Sequence, residues 1–486
     1  MSTARDTPPA IAEARAGPPI ANEDPSNLSV AASDLIYRLD DRPDALRSLL
    51  AALQHLMASV FAIAIVPLLI ARGLQLDDTE SAYLVSMALM VSGVATFIQS
   101  RRIGPVGSGL LCLQGTSFTF VATIVAGGLA MRAAGSSDEA MLAAIFGTCL
   151  AGCLVEIGLS QIVPLIRRII TRTVTGVVVT VIGLSLIEVG FRSLAGGSGA
   201  ADFGSLTNLA IGGITMAIII AAFIQRRPLV RISAILIGIL IGSSLAALTG
   251  LLDLSSLAGQ PAVTMPTPLK YGIGFSAELF VPIAILYLVT AIEAAGDLTA
   301  TSVIAGEPVA GPTYLKRIRG GILGDGVNSA IAAIFNSFPS TTFGQNNGVI
   351  QLTGIASRHI ALFIAPILVL LGLFPFVAAL FVAIPQPVIG GAMVVLFGSI
   401  AVAGIRLLSS EPFTRKRVLV SAVSLGLGLG SALVPDAFQE LPAIVRSVTG
   451  SPIALSGLTA ILLTLILPEP AAVADKPANE ADQASP

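Results

Sequence analysis

Gln345, Asn346 and Asn347 stand side by side where an apolar run begins, within PSTTFGQNNGVIQLTGIASR from Pro339 to Arg358. The chain around them is otherwise compatible with hydrocarbon. Of its 486 residues, 54% are hydrophobic and only 12% charged, against roughly 25% charged in soluble domains, so the sequence reads as an integral membrane protein. An amide in lipid is costly unless it faces a partner or a cavity. The amide run therefore points to a small polar ligand held at membrane depth.

A membrane-crossing helix needs about 20 apolar residues, fewer where it is broken. That spacing places segments near 48–71, 81–99, 107–131, 139–160, 170–191, 207–225 and 229–250. A second set follows near 276–303, 320–337, 345–357, 359–379, 380–403, 416–435 and 452–468. The fold expected is an all-α polytopic membrane protein of about fourteen segments. Basic clusters follow the even-numbered segments: Arg101 and Arg102; Arg167, Arg168 and Arg172; Arg226, Arg227 and Arg231; Lys316, Arg317 and Arg319; Arg358; and Arg406 with Arg415–Arg417. The opposite loops carry isolated basic residues such as Arg72, Arg132, Arg192 and Lys270. All clusters fall on one side if both termini are cytoplasmic. Residues 1–45 and 469–486 are polar and read as cytoplasmic tails. Cys112, Cys149 and Cys153 lie in apolar segments without His or carboxylate company and read as packing residues.

The third and tenth segments resemble one another in character. GSGLLCLQGTSFTF (107–120) and FPSTTFGQNNG (338–348) are both short, rich in Gly, Ser and Thr, and carry a Gln beside small polar residues. Paired interrupted segments in matching positions of two halves are the sequence pointer to a transporter's binding site. Broken helices with short extended stretches are expected in both, opposite each other in a 7+7 inverted repeat.

Other polar groups gather in apolar surroundings. Glu293 and Asp297 share one helical face at i, i+4. Asp325 sits between Gly324 and Gly326, while the third segment brings Gln114, Ser117 and Phe118. Intramembrane carboxylates are functional candidates, because an unpaired charge there costs at least about 2.5–3.5 kcal/mol. A carboxylate such as Glu293 accepts from ring N–H groups, and the Gln345 amide offers donor and acceptor together. That pair matches the alternating N–H and C=O edge of a purinedione, with Phe118 as a face for stacking. Asp297, Asp325 or Glu293 could carry a proton. Plainer readings stand beside these: a structural Glu293–Asp297 pair at a kink, Asp325 as a helix N-cap, Phe118 as core. His55 alone reads as a satisfied core histidine, and Glu156 and Glu188 as structural or near an interface.

At these residues the chain resembles the nucleobase–ascorbate transporter family, also called nucleobase:cation symporter family 2. QNNGVIQLTG (345–354), EAAGDLTATS (293–302), the Asp325 segment and LQH (53–55) fit the family's motifs in order. The likeness extends through ASDLIYRLDDRP (32–43), YLVSMALMVSG (83–93), AGIRLL (403–408) and GLTAILL (457–463). It is nearest in character to bacterial xanthine permeases, which are proton symporters. The resemblance implies a core domain (46–161 and 275–379) moving against a gate domain (162–252 and 380–468). It implies substrate binding by Glu293, Gln345, Asn346, Phe118, Ser117 and Gly344. Coupling or essential polar roles fall to Asp297, Asp325, His55 and Glu293. It further implies a homodimer in the bacterial inner membrane, in contact with lipid and a purine substrate, with no nucleic acid and no cofactor beyond the coupling proton.

One position departs from the family pattern. Xanthine-selective relatives carry Asn where this chain has Ser117, and the smaller side chain leaves room for the C8 oxygen of uric acid. Rival readings are a uracil or hypoxanthine/guanine permease of the same family, or an anion transporter of the same architecture. An intramembrane protease is disfavoured, since neither Asp297 nor Asp325 follows Tyr, and HExxH is missing from the sequence.

Overall fold

The structure, a computed structural model, describes residues 35–163, 171–257 and 261–468. The tails at 1–34 and 469–486, with Arg167 and Arg168, lie outside the described residues. The first half holds α1 (Ala45–Gly73), α2 (Asp78–Arg101), β1 (Gln114–Thr116), a 3-10 turn (Phe118–Phe120) and α3 (Val121–Ala133). It continues through α4 (Asp138–Gln161), α5 (Arg172–Leu194), α6 (Leu206–Phe223), α7 (Pro228–Ile232) and α8 (Ala234–Leu248). The second half opens with α9 (Ala277–Ile304), α10 (Gly311–Ile334), β2 (Ser340–Thr342) and α11 (Gln345–Thr353). It closes with α12 (Ala361–Leu373), α13 (Pro375–Ala383), α14 (Gln386–Leu408), α15 (Arg415–Leu433), α16 (Ala443–Thr449) and α17 (Pro452–Ile466).

The sequence starts its helices with side-chain caps. Asp44, Asp77, Ser137, Thr171, Ser205, Ser276, Thr414 and Ser451 each accept a backbone N–H of the first turn. Proline sets the later breaks. Phe374 and Ile384 precede Pro375 and Pro385 and take extended conformations, as residues before proline do. The expected division at 379/380 therefore falls inside α13. The chain bends by 76° at Phe374 and breaks again at Ile384–Pro385.

Among the described residues, eight helices are long and apolar enough to cross a membrane, and ten if each bent pair counts as one crossing. The other four expected segments miss that test for visible reasons. The third is split into β1, a 3-10 turn and α3; the seventh into α7 and the 15-residue α8; the tenth reduces to the nine-residue α11. The ninth, α10, mixes glycines with Lys316, Arg317, Arg319 and Asp325.

Two sets of neighbours emerge from the packing. Helices α1, α2 and α4 pack with α9, α10, α12 and α13, whereas α5, α6 and α8 pack with α14, and α15 and α17 close against α5. Lipid-exposed helices gain little from hydrophobic association, so close backbone contact between small residues carries the packing. The α5–α14 crossing is the clearest case: a Cβ on Gly183 would lie 2.3 Å from Ala401 N, and one on Gly404 2.4 Å from Thr180 N.

Two straps fasten the first set. Residues 35–43, expected as the end of a tail, run beneath α11. Ile36 and Tyr37 donate to Gly354 O at 2.8 and 3.1 Å, and Arg358 N donates to Leu39 O at 3.0 Å. At the other end, the loop before α9 donates Thr264 N to Leu373 O, Leu269 N to Ile334 O and Gly274 N to Ala143 O. Lys270 Nζ pairs with Glu80 at 2.8 Å and lies 4.0 Å from the Tyr83 ring centroid. Tyr271 donates to Glu80; burial and that carboxylate push its phenol pKa up, so it stays a donor.

A Gly183→Val exchange should drive Cβ into backbone that cannot yield. We expect a loss of about 1–3 kcal/mol, read as a lower melting temperature of the purified protein in detergent.

Candidate functional site

β1 and β2 pair antiparallel, Gln114 opposite Thr342, Gly115 opposite Thr341 and Thr116 opposite Ser340. Phe343 N to Leu113 O (2.9 Å) and Ser117 N to Pro339 O (2.8 Å) extend the pair at both ends. An isolated two-stranded ribbon is marginal; here it is locked from behind. Asp325, in the middle of α10, accepts from Gln99 Nε2 (3.1 Å) on α2, Gln114 Nε2 (2.8 Å) on β1 and Thr342 N (3.2 Å) on β2. The Thr342 hydroxyl adds a contact at 3.1 Å. Three N–H donors converge on this carboxylate, an arrangement that suits its ionised form. Asp325 is thus an interior hub, not the helix N-cap that its flanking glycines suggested. Gly324 admits the network, since a Cβ there would lie 2.1 Å from Gln99 Oε1.

In front of the strand pair lies a cavity of about 1010 Å³, large enough for a heterocycle. Its deep wall is formed by Glu293, Gly296 and Asp297 of α9, by Ser117, Phe118 and Thr119, and by Thr341 to Gln345. The facing wall comes from α5 (Thr175, Val179, Ile182) and α14 (Leu396, Ser399, Ile400, Ala403). Arg172, Arg406, Ser410 and Glu411 line it at the end carrying the loops before α5 and after α14. The site therefore lies between the two packing sets.

Glu293 Oε2 accepts from Thr119 Oγ1 at 3.4 Å. Gly344 lets the start of α11 press on Asp297, because a Cβ there would sit 2.8 Å from Asp297 Oδ1. Phe118 is held edge-on by Phe397 of α14, with ring centroids 5.4 Å apart and planes at 87°. Ser117 caps the 3-10 turn by accepting from Thr119 N at 3.3 Å.

Six of the residues picked from sequence border the cavity together: Glu293, Asp297, Gln345, Gly344, Ser117 and Phe118. Asn346, Asp325 and His55 are buried one layer behind. Asn346 Nδ2 donates to Leu111 O at 2.6 Å, bracing α11 against the other broken segment. His55 lies fully buried beside Asn346. The Asn346 side chain is the polar group it meets, although the contact falls short of a well-formed hydrogen bond at either ring nitrogen.

Glu156, expected to be structural or near an interface for want of polar company on its own segment, has that company from other helices. It is fully buried, and Thr290 of α9 lies 3.4 Å away. Glu188 by contrast is exposed and pairs with Arg192. The sequence reading passed over Gln99, Thr119 and Thr342. For Gln99, a Gln inside the apolar run that ends at Arg101 was the available signal. The α14 wall offered none, being small and apolar like any packing helix.

A family model described as a permease family matches residues 46–437. The chain is 45% identical over 440 residues to the xanthine permease XanP of Escherichia coli K12, covering 90% of this chain and 95% of that protein. It is 42% identical over 446 residues to the xanthine permease XanQ of the same organism, covering 91% and 96%. Its fold is similar to that of the transmembrane domain of a cyanobacterium bicarbonate transporter, BicA. The TM-score is 0.53 at 15% identity, over 86% of this chain and 96% of that one.

Asp325→Asn would replace one acceptor oxygen with an N–H₂ group facing N–H donors, leaving a single acceptor among them. We expect a loss of about 1–3 kcal/mol, seen as a lower melting temperature, together with abolished uptake. Asp297→Asn, at the cavity wall, should leave the melting temperature nearly unchanged.

Proposed function

The chain belongs to the nucleobase–ascorbate transporter family, and on that premise we propose that it takes up xanthine together with protons, with uric acid entering the same site. It is a multi-pass membrane transporter, not an enzyme. The observation that carries the substrate reading is that Glu293 and Gln345, from two different segments, border one cavity beside the Phe118 ring. Glu293 accepts from ring N–H groups, Gln345 pairs with an adjacent N–H and C=O, and Phe118 covers one face. The likeness to a bicarbonate transporter favours a second reading, that of an anion carrier. The deep wall opposes it: Glu293 and Asp297 offer acceptors there, and bicarbonate has a single O–H to give them.

Ser117 tunes selectivity in this proposal. Its short side chain is engaged with Thr119 N, which leaves the deep wall open where a larger Asn would project. The coupling proton is assigned among Glu293, Asp297 and Asp325, with Asp297 favoured over Asp325 because the latter is already ringed by N–H donors.

Transport follows alternating access, with the α1–α4 and α9–α13 set as core and the remaining helices as gate. The reading keeps fourteen crossings in a 7+7 inverted repeat, supported by the mutual pairing of the two broken segments. Both termini are assigned to the cytoplasm of a bacterium and the protein to its inner membrane, as a homodimer. Because the cavity reaches Arg172, Arg406 and Glu411, at the end bearing basic clusters, the conformation is assigned as inward-facing.

The deciding experiment is radiolabelled xanthine uptake in cells lacking their own purine carriers, with and without a protonophore. Unlabelled urate, uracil, hypoxanthine and guanine serve as competitors. Protonophore-sensitive uptake blocked by xanthine and urate is expected. Absence of xanthine uptake by protein shown to be in the membrane would overturn the substrate assignment.

Two exchanges sharpen the test. Ser117→Asn should weaken urate competition by about tenfold, near 1.4 kcal/mol, while xanthine uptake persists. Glu293→Ala should cost about 10²-fold or more in uptake, as a site built to receive N–H donors loses its acceptor.

A further inference from the structure

Glu156 sits in the middle of α4, fully buried, and the transport scheme above gives it no task. Its Oε1 accepts from Thr290 Oγ1 at 3.4 Å, and Thr290 shares that proton with Tyr287 O at 3.2 Å. Its Oε2 has no hydrogen-bond partner among the described residues. The titratable groups facing it are Cys153 on its own helix, Tyr287 and Glu293 on α9, and Asp325 on α10. On α3, Arg132 is engaged with Asp138 at the start of α4, away from Glu156. Among the described residues no Lys or Arg forms an ion pair with Glu156.

Asp325 and Glu156 are opposites in their donor sets. The first receives three N–H groups; the second receives one shared hydroxyl and faces two other carboxyls. A carboxylate so placed would be an unpaired charge in a membrane interior, which proteins avoid by keeping the group neutral. Glu156 also lies behind Glu293: Thr290, its contact, precedes Glu293 by three residues, one helical turn on α9.

We propose that Glu156 is a coupling residue, holding a proton in this conformation and exchanging it during the transport cycle. The bond made and broken is the carboxyl O–H, and the proton passes to or from water reaching the core. With Glu156 neutral, Glu293 can face substrate N–H groups as an anion; with Glu156 charged, two anions would face each other across one turn of α9. Loading of the rear carboxyl thereby favours the substrate-receiving state of the front one. The inference rests on the proposed transport function and adds a carboxyl outside the substrate cavity.

The test uses full-length protein in proteoliposomes. E156Q, which mimics the neutral acid, should keep xanthine counterflow without a proton gradient. Moving one charge through about 100 mV corresponds to roughly a fiftyfold concentration ratio; E156Q should lose that much accumulation if one proton per cycle depends on it. Infrared difference spectra should show a protonated-carboxyl C=O band in wild type that is missing from E156Q. Accumulation at the wild-type level in E156Q, or persistence of the band, overturns the proposal. If E156Q fails to fold, E156D serves: a shifted band and a displaced pH midpoint of accumulation support the inference, and unchanged values overturn it. Wild-type protein that shows no xanthine counterflow would overturn the transport reading, while the band would still decide whether Glu156 holds a proton.

Discussion

The contact on which the rest of the molecule depends is the seating of Asp325 behind the β1–β2 pair. Two chain segments that abandon helical hydrogen bonding inside a membrane must find other partners for their N–H and C=O groups. They find them first in each other, through the antiparallel register of Gln114 to Thr116 with Thr342 to Ser340. They are then fixed to the helices by one carboxylate that gathers Gln99, Gln114 and Thr342. Without a carboxyl at that point the Thr342 N–H would lose its acceptor, and the Gln99 and Gln114 amides would keep only Gly321 O and the Thr342 hydroxyl. The interruption of two helices is tolerable because α10 brings a carboxyl group to the crossing.

The cavity wall is built forward from that crossing. Phe118 and Gln345 stand just beyond the two strands, and Glu293 and Asp297 meet them from one face of α9. The opposite wall belongs to α5 and α14, which hold each other through backbone contact at Gly183 and Gly404. Phe118 against Phe397 is one of the points where the two sets touch. The cavity is accordingly bordered by both packing sets.

Much of this was legible in the sequence, and the rest was not, for physical reasons. Glu293 and Asp297 at i, i+4 in an apolar run, and amides at the head of another, are costly placements that announce themselves. The twin Gly/Ser/Thr-rich segments likewise foretold broken helices, and the structure pairs them. What pairwise spacing could not foretell was depth. Asp325, Asn346 and His55 share the chemistry of the cavity residues but face the packing behind it. Glu156 seemed isolated because its neighbours Thr290, Asp325 and Glu293 arrive from other helices. The division expected at 379/380 fell between two real breaks, at Phe374 and Ile384, because hydropathy runs smoothly through 379 while Pro375 and Pro385 govern the backbone. Residues 35–43 looked like tail because their hydrogen bonds to Gly354 and the Arg358 N–H are made by main chain, which composition does not report.

The same holds for the strand pair itself, with a consequence for how such a protein can change over generations. Its register is written in N–H and C=O groups that every residue but proline possesses. The side chains of Phe118 and Gln345, which take no part in that register, can therefore drift without loosening the joint that positions them, whereas Thr342 and Gly344 are held by Asp325 and Asp297. Selectivity and architecture are stored in different parts of the same residues. A lineage can retune its cargo one side chain at a time, each step departing from a scaffold that still assembles.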